Sequence, residues 1–307
     1  MHATENTHFK VGEINCIAMS DCIGSMPGQC IVKDVPPDRV NEVFAAHGIS
    51  QTETVFYYNC LYIQTDQHRI LIDAGIGRST RQQDSAVLDR LEAEGKLPMP
   101  RSAIPKLEGV LLDRLQAEGL APADIDLVII THFDGDHVGG LTANNQPVYP
   151  NADYILLKEA WDFWSDAARV AQWPEFLMAA GRRTLPLIQD RLQIIEADTE
   201  FLPGFQLILA SGHRPGHTAV AITSAGQHLI HVADTIGHPL LIEYPHWHGF
   251  ADLMHDQAAQ DRVRLLSLAV EQQALVFGSH LPFPGVGRVI PQGEGWRWQP
   301  LGEESSN

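Results

Sequence analysis

The chain has 307 residues and a formal net charge of −17, from 21 Lys and Arg against 38 Asp and Glu. That balance excludes a protein built around a basic nucleic-acid face and makes strongly anionic substrates poor partners. No apolar run reaches the roughly 18 residues of a membrane span, and Met1 to Asn6 shows no basic segment followed by an apolar core, so a cytoplasmic protein without membrane attachment is expected.

In chain order, His8 to Ser20 alternates apolar and polar residues and predicts a first strand. Residues 21–50 hold Gly24, Pro27, Gly28, Pro36 and Pro37 and predict mainly loop, with a short amphipathic helix near Arg39 to Ala46; this stretch is a flap, a contact in a homodimer, or an ordinary connection. Thr54–Thr65 and Arg69–Asp73, joined by Asp66-Gln67-His68, predict a hairpin. Asp73 either supports a site from behind or bonds backbone in a turn. Leu88 to Gly95 recurs as Leu112 to Gly119, and both copies predict helices stopped by glycine. The first copy, with its link Leu97 to Pro105, looks like a helical insertion near 78–106. The four cysteines (Cys16, Cys22, Cys30, Cys60) form no Cys-x-x-Cys pair and are expected as reduced thiols.

The chain then turns to chemistry. The apolar run Asp126 to Ile130 predicts a buried parallel strand, and Thr131-His132-Phe133-Asp134-Gly135-Asp136-His137 follows on the loop at its end, where layered α/β folds collect ligands. Two imidazoles and two carboxylates within six residues are metal-ligand chemistry. Beyond it, Tyr154–Leu157 predicts a strand and residues 159–190 a helical region with Trp161, Trp164 and Trp173, which read chiefly as core. Strands are predicted at Leu192–Ile195, Phe205–Ala210, Ala219–Thr223, His228–Ala233 and Leu275–Phe277, with a long helix over 251–272. His246, His248 and His255 read as pocket rim or surface.

The motif resembles the His-x-His-x-Asp-His signature of the metallo-β-lactamase-fold hydrolases, with Asp134 standing where that family has its second histidine. Leu71-Ile72-Asp73-Ala74-Gly75, Pro215-Gly216-His217-Thr218, Val232-Ala233-Asp234-Thr235 and Gly278-Ser279-His280-Leu281-Pro282-Phe283-Pro284-Gly285 resemble further blocks of that family in the same order. The resemblance runs from about Phe9 to about Val289, toward the methyl-parathion-hydrolase-like and quorum-quenching-lactonase-like branches; the last block leans to the former. It implies an α/β, four-layer αββα sandwich forming one domain over 1–307. It also implies two divalent metals, zinc by family. His132, Asp134 and His217 would surround one, Asp136, His137 and His280 the other, with Asp234 between them. His213 reads as a loop or supporting residue.

A metal-bridging hydroxide would then attack without a protein nucleophile, with Asp136 and Asp234 as the catalytic carboxylates. Phe133, Trp247 and Phe283 beside the blocks, with the acidic surface, suggest a largely uncharged small-molecule ester, lactone or phosphotriester. Three carboxylates, two divalent cations and one hydroxide would leave the centre formally neutral, and the hard oxygen of Asp134 would favour manganese or iron relative to zinc. Two alternatives stand beside hydrolysis: a di-iron redox enzyme on the same fold, for which no length remains to hold a flavin module, and a non-catalytic metal-binding protein. No Gly-x-Ser-x-Gly elbow or P-loop is present.

Overall fold

The structure, a computed structural model, describes residues 5–78, 80–97 and 107–302, with only the backbone described for 80–84. Two seven-stranded sheets dominate it, and in each the strands lie in sequence order. The first comprises β1 (Thr7–Val11), β2 (Ile14–Met26), β3 (Thr54–Gln64), β4 (Arg69–Ile72), β5 (Leu127–Ile129), β6 (Asp153–Leu157) and β7 (Leu192–Ile195). The second comprises β8 (Glu200–Leu202), β9 (Phe205–Leu209), β10 (Thr218–Ser224), β11 (Gln227–His231), β12 (Leu275–Phe277), β13 (Val286–Gln292) and β14 (Gly295–Pro300). From β4 to β7 the pairing is parallel, as it is between β11 and β12; the other pairs are antiparallel.

Strand periodicity explains the layering. In β5, Leu127 and Ile129 face the second sheet, where they join Ile70, Ile72, Leu207, Val220 and Phe277 in the core between the sheets. Their neighbours Val128 and Ile130 point the other way, onto Leu111, Leu115, Leu185 and Ile188 of the helices covering the first sheet. The outer face of the second sheet, with Ile230 and Val276, packs on Leu265, Leu266 and Ala269 of helix His255–Glu271. A strand buried on both faces must be apolar at every position, and the run before the motif is so for that reason. The layers are helix, sheet, sheet, helix, the expected αββα sandwich.

Three local readings change. The single strand predicted over His8 to Ser20 is a hairpin, because Gly12 turns the backbone at φ 57°. Strand β2 continues to Met26, into the predicted loop. The final hairpin of β13 and β14 was not predicted, since Gly287 and Pro291 interrupt its strand signal. The repeated segments are helices, Thr80–Ala93 and Leu111–Ala117, with Gly95 and Gly119 in the left-handed region at their ends. Most of the link Leu97 to Pro105 lies outside the described residues. No described helix is long and apolar enough to cross a membrane.

Candidate metal centre

Strands β4, β5, β9, β11 and β12 all end at one edge of the sandwich, and the chain leaving each carries a polar residue into the same volume. Strand β5 delivers His132, and the single turn Gly135–Val138 places Asp136 and His137. Strands β9, β11 and β12 lead to His213, Asp234 and His280. Asp234 sits in the middle. Its Oδ1 lies 3.0 Å from His137 Nε2; its Oδ2 lies 3.1 Å from His280 Nε2, 3.4 Å from His213 Nε2 and 3.8 Å from His132 Nε2. Asp136 Oδ2 is 3.5 Å from His280 Nε2 and 3.7 Å from His137 Nε2. Atoms each about 2.1 Å from one tetrahedral cation stand roughly 3.4 Å apart, so these are the spacings of a metal cage.

Protonation follows from the partners. His137 Nδ1 is 2.7 Å from the Asp73 carboxylate, His213 Nδ1 3.0 Å from that of Asp252, and His280 Nδ1 2.7 Å from the Tyr57 carbonyl. Carboxylates and carbonyls only accept, so each Nδ1 carries a hydrogen and Nε2 is the nitrogen turned toward the centre. His132 reaches the same state through Thr131, whose hydroxyl donates to Asp73 at 2.7 Å and so accepts from His132 Nδ1 at 3.0 Å. The Nε2 atoms of His132, His137 and His213 are buried and make no hydrogen bond. Buried polar atoms are almost always paired; four imidazole Nε2 atoms converging on two carboxylates fit divalent metal ions.

His217 does the opposite. Its Nε2 accepts the backbone N–H of Asp234 at 3.1 Å, and its Nδ1 is buried without a partner. Burial, then the neighbouring His213, pushes its pKa down to about 3, so the ring is a neutral acceptor. Two groups of ligating atoms converge: Asp136, His137, Asp234 and His280, and separately His132, His213 and Asp234. His213 therefore stands where His217 was expected. Gly-His-Arg-Pro-Gly-His offers two histidines four apart, and only Asp252, brought in from 39 residues along the chain, distinguishes them.

Asp134 also departs from expectation. Arg214 grips it as a fork, Nε to Oδ1 at 2.9 Å and Nη2 to Oδ2 at 2.5 Å. Burial alone would raise the Asp134 carboxyl, but the Arg214 charge and then the neighbouring His213 and His132 rings hold it well below the usual carboxylate range. The extra negative charge expected from Asp134 is cancelled by this guanidinium. For His280, burial acts downward, but the carboxylates of Asp234 and Asp136 prevail and push it up to about 9.

Support extends one layer further. Asp73, at φ 59°, takes the Thr131 backbone N–H as well as the Thr131 hydroxyl and His137, so the turn and the supporting role are one feature. Asp252 is held by Arg262, which is fully buried and also donates to the carbonyls of Thr235, Pro245 and Trp247.

A cavity of about 230 Å³ opens onto the centre, with Asp134, Asp136, His213, Arg214, Asp234 and His280 at its base and Met26, Ile31, Phe56, Tyr58, Leu241 and Phe250 on its walls. Met26 and Ile31 come from the 21–50 stretch, which forms part of the wall. The apolar residues named from sequence lie elsewhere: Phe133 packs on Trp164, Trp247 stacks on Tyr244, and Phe283 joins the core between the sheets. Trp161, Trp164 and Trp173 pack against core clusters and do not line the cavity. His248 and His255 stack on each other beside Lys33 and Asp256, apart from both groups of ligating atoms.

A family model described as the metallo-beta-lactamase superfamily matches residues 54–280. An N-acyl homoserine lactonase of Bacillus cereus is 26% identical over 226 residues, which span 72% of this chain and 80% of its own. One from Bacillus sp is 25% identical over 228 residues with the same coverage. Among solved structures, the dizinc quorum-quenching lactonase AidC shares the fold at a TM-score of 0.79, with 24% identity over 99% of both chains. The hydrolase AbOPH gives 0.82 with 20% identity over 99% of this chain and 100% of its own.

Proposed function

Because the chain belongs to the metallo-β-lactamase superfamily, we propose that it opens a neutral lactone, or cleaves a small uncharged ester, at a centre of two divalent metals. It is a metal-dependent hydrolase. The observation that carries the finer reading is the convergence of four imidazole Nε2 atoms, each ring fixed from behind, on Asp136 and Asp234 beneath an apolar-walled cavity. Asp136, His137, Asp234 and His280 would hold one metal; His132 and His213, with Asp234 shared, would hold the other. Zinc suits imidazole-rich sets of this kind.

Bound there, two cations would polarise the scissile carbonyl and lower the pKa of an attacking water. The chain's own groups do the rest. Hydrolysis adds the water oxygen to the carbonyl carbon, breaks the ring C–O bond and moves one water proton to the leaving oxygen. Asp136 lines the cavity and can accept that proton and return it. The Tyr58 ring stands edge-on to His280 at 5.2 Å, and burial, then the charge of Asp136, raises its pKa and keeps the phenol a hydrogen-bond donor for a substrate oxygen. The apolar walls suit an acyl or alkyl group. A cavity of about 230 Å³ is below the roughly 300–1,000 Å³ of drug-sized sites, which favours a compact substrate. The similarity to N-acyl homoserine lactonases supports the lactone class.

The test is metal analysis of purified protein combined with a panel of lactones, aryl esters, phosphotriesters and phosphodiesters. Metal-dependent turnover is expected, fastest on lactones or esters. Cleavage of an anionic phosphodiester ahead of every neutral substrate at low salt would overturn the substrate class, since the acidic surface should repel it.

A further inference from the structure

The two groups of ligating atoms are unequal: one has four members with two carboxylates, the other three members sharing one of those carboxylates. We propose that this inequality is functional. The position at Asp136, His137, Asp234 and His280 keeps its metal, while the position at His132, His213 and Asp234 takes an exchangeable one, because Arg214 withholds Asp134 from it. The inference rests on reading the centre as a metal site.

Asp134 has the right place to ligate. Its Oδ2 is 3.9 Å from His132 Nε2 and 3.7 Å from His213 Nε2. Yet both of its oxygens are engaged by the Arg214 fork, and a paired carboxylate and guanidinium bring no net charge to a cation. The guanidinium is not free to leave. Its Nη1 donates to the carbonyls of His213 at 2.9 Å and Ala251 at 2.6 Å, so four of its five N–H groups have partners, and the residue is 5% exposed. Bidentate pairs of this geometry are the strong ones. A cation seated between His132 and His213 would also lie close to the positive charge of Arg214, which disfavours it further.

The chemical consequence is a division of labour. Catalytic metal positions combine three protein ligands with an open place for water or substrate. The three-membered group meets that description, and Asp134, Arg214, His213 and Asp234 all border the cavity. A substrate carbonyl would meet the weakly held metal, and the four-membered group would fix the shared carboxylate.

Metal-free protein titrated with zinc or manganese against a chromophoric chelator reads this directly. Two classes of site, separated by about 100-fold or more in affinity, are expected, consistent with the loss of one ligand. Dialysis against a chelator of intermediate strength should leave one metal per chain. Two equal affinities would overturn the proposal while leaving the metal centre standing; no bound metal at all would overturn the centre itself, and this inference with it. Arg214→Gln and Arg214→Lys should each release an Asp134 oxygen and tighten the weaker class about tenfold, with the tighter class unchanged. If both variants instead weaken it, Asp134 already ligates with Arg214 behind it, and the proposal fails. Circular dichroism and occupancy of the tighter class report whether the variants fold; if neither does, the wild-type titration still decides.

Discussion

The two sheets build their halves of the centre differently. The first sheet supplies His132, Asp136 and His137 from one loop after β5, and a single carboxylate on the adjoining β4 end, Asp73, orients both imidazoles, one directly and one through Thr131. The second sheet supplies His213, Asp234 and His280 from three separate loops, with a buried ion pair of Asp252 and Arg262 behind one and the Tyr57 carbonyl behind another. A local loop needs one brace; a site gathered from distant segments needs a charged network taken out of water. The second half should therefore be the more sensitive to the loss of one supporting group.

The largest effect should come from Arg262→Met. It leaves the Asp252 charge and three carbonyls without their buried partner, and about 3–5 kcal/mol of stability should be lost in urea unfolding, as for one-sided removal of buried ion pairs. A loss below about 1 kcal/mol, within the range of surface pairs, would break the contrast between the halves.

Next is the pH dependence carried by Asp21, which braces the first sheet's half. Its carboxylate accepts the N–H groups of Ile76 at 2.8 Å and Leu111 at 2.7 Å. Burial pushes its pKa up from 3.8 to about 6. The raised pKa means the protonated form stabilises the fold: the contribution is full below about pH 3.8 and is lost as pH rises through about 6. Wild type compared with Asp21→Asn between pH 4 and 7 should show a difference of at most about 3 kcal/mol that varies across this window. A pH-independent difference would mean Asp21 does not titrate there. Gly75 and Gly109 leave room for this side chain: a Cβ at those positions would stand 2.4 and 2.7 Å from its oxygens.

Asp73→Asn should weaken metal binding about 10- to 100-fold, as loss of a partner behind a ligating histidine does, with little change in melting temperature. Unchanged affinity would show that His137 is oriented by packing alone. The smallest effect is expected from His217→Ala. The Asp234 N–H loses its acceptor, at about 1–2 kcal/mol, and both metals stay, whereas His213→Ala should lose the more weakly held metal outright. The reverse result, metal lost with His217 and kept without His213, would restore the reading made from sequence.

That reading recovered most of the sandwich because its inner strands are buried on both faces and its motif is contiguous. Residues 127–130 could be little else than an inner strand. The first sheet's candidate ligating loop was legible for the same reason, being six residues long. The second half was less so. His213 and His217 stand four residues apart in one block, and Asp252 and Arg262 both read as ordinary members of the helix predicted over 251–272 until the fold brings them beneath His213. Asp134 was visible as a departure, but its partner, 80 residues away, was not. The cavity walls were missed because Met26, Ile31 and Phe250 belong to stretches with no motif, while aromatic residues adjacent in sequence to the ligating blocks face the core.

The grip of β3 on the His280 loop bears on the order in which the molecule assembles. Besides the Tyr57 carbonyl, Asn59 donates its backbone N–H to Ser279 at 2.8 Å and its side-chain amide to Leu281 at 2.7 Å. A strand near the start of the chain thus positions a candidate ligand near its end, and contacts of such separation form late because loop closure precedes their reward. The centre would complete only after the sheets have docked. Metal added during refolding should then leave the rate-limiting folding step nearly unchanged and slow unfolding instead, the kinetic signature of interactions absent from the transition state. Stopped-flow measurements with and without metal would show it as one moving arm of the chevron, and the lifetime of the native state would become a property of the ion supply.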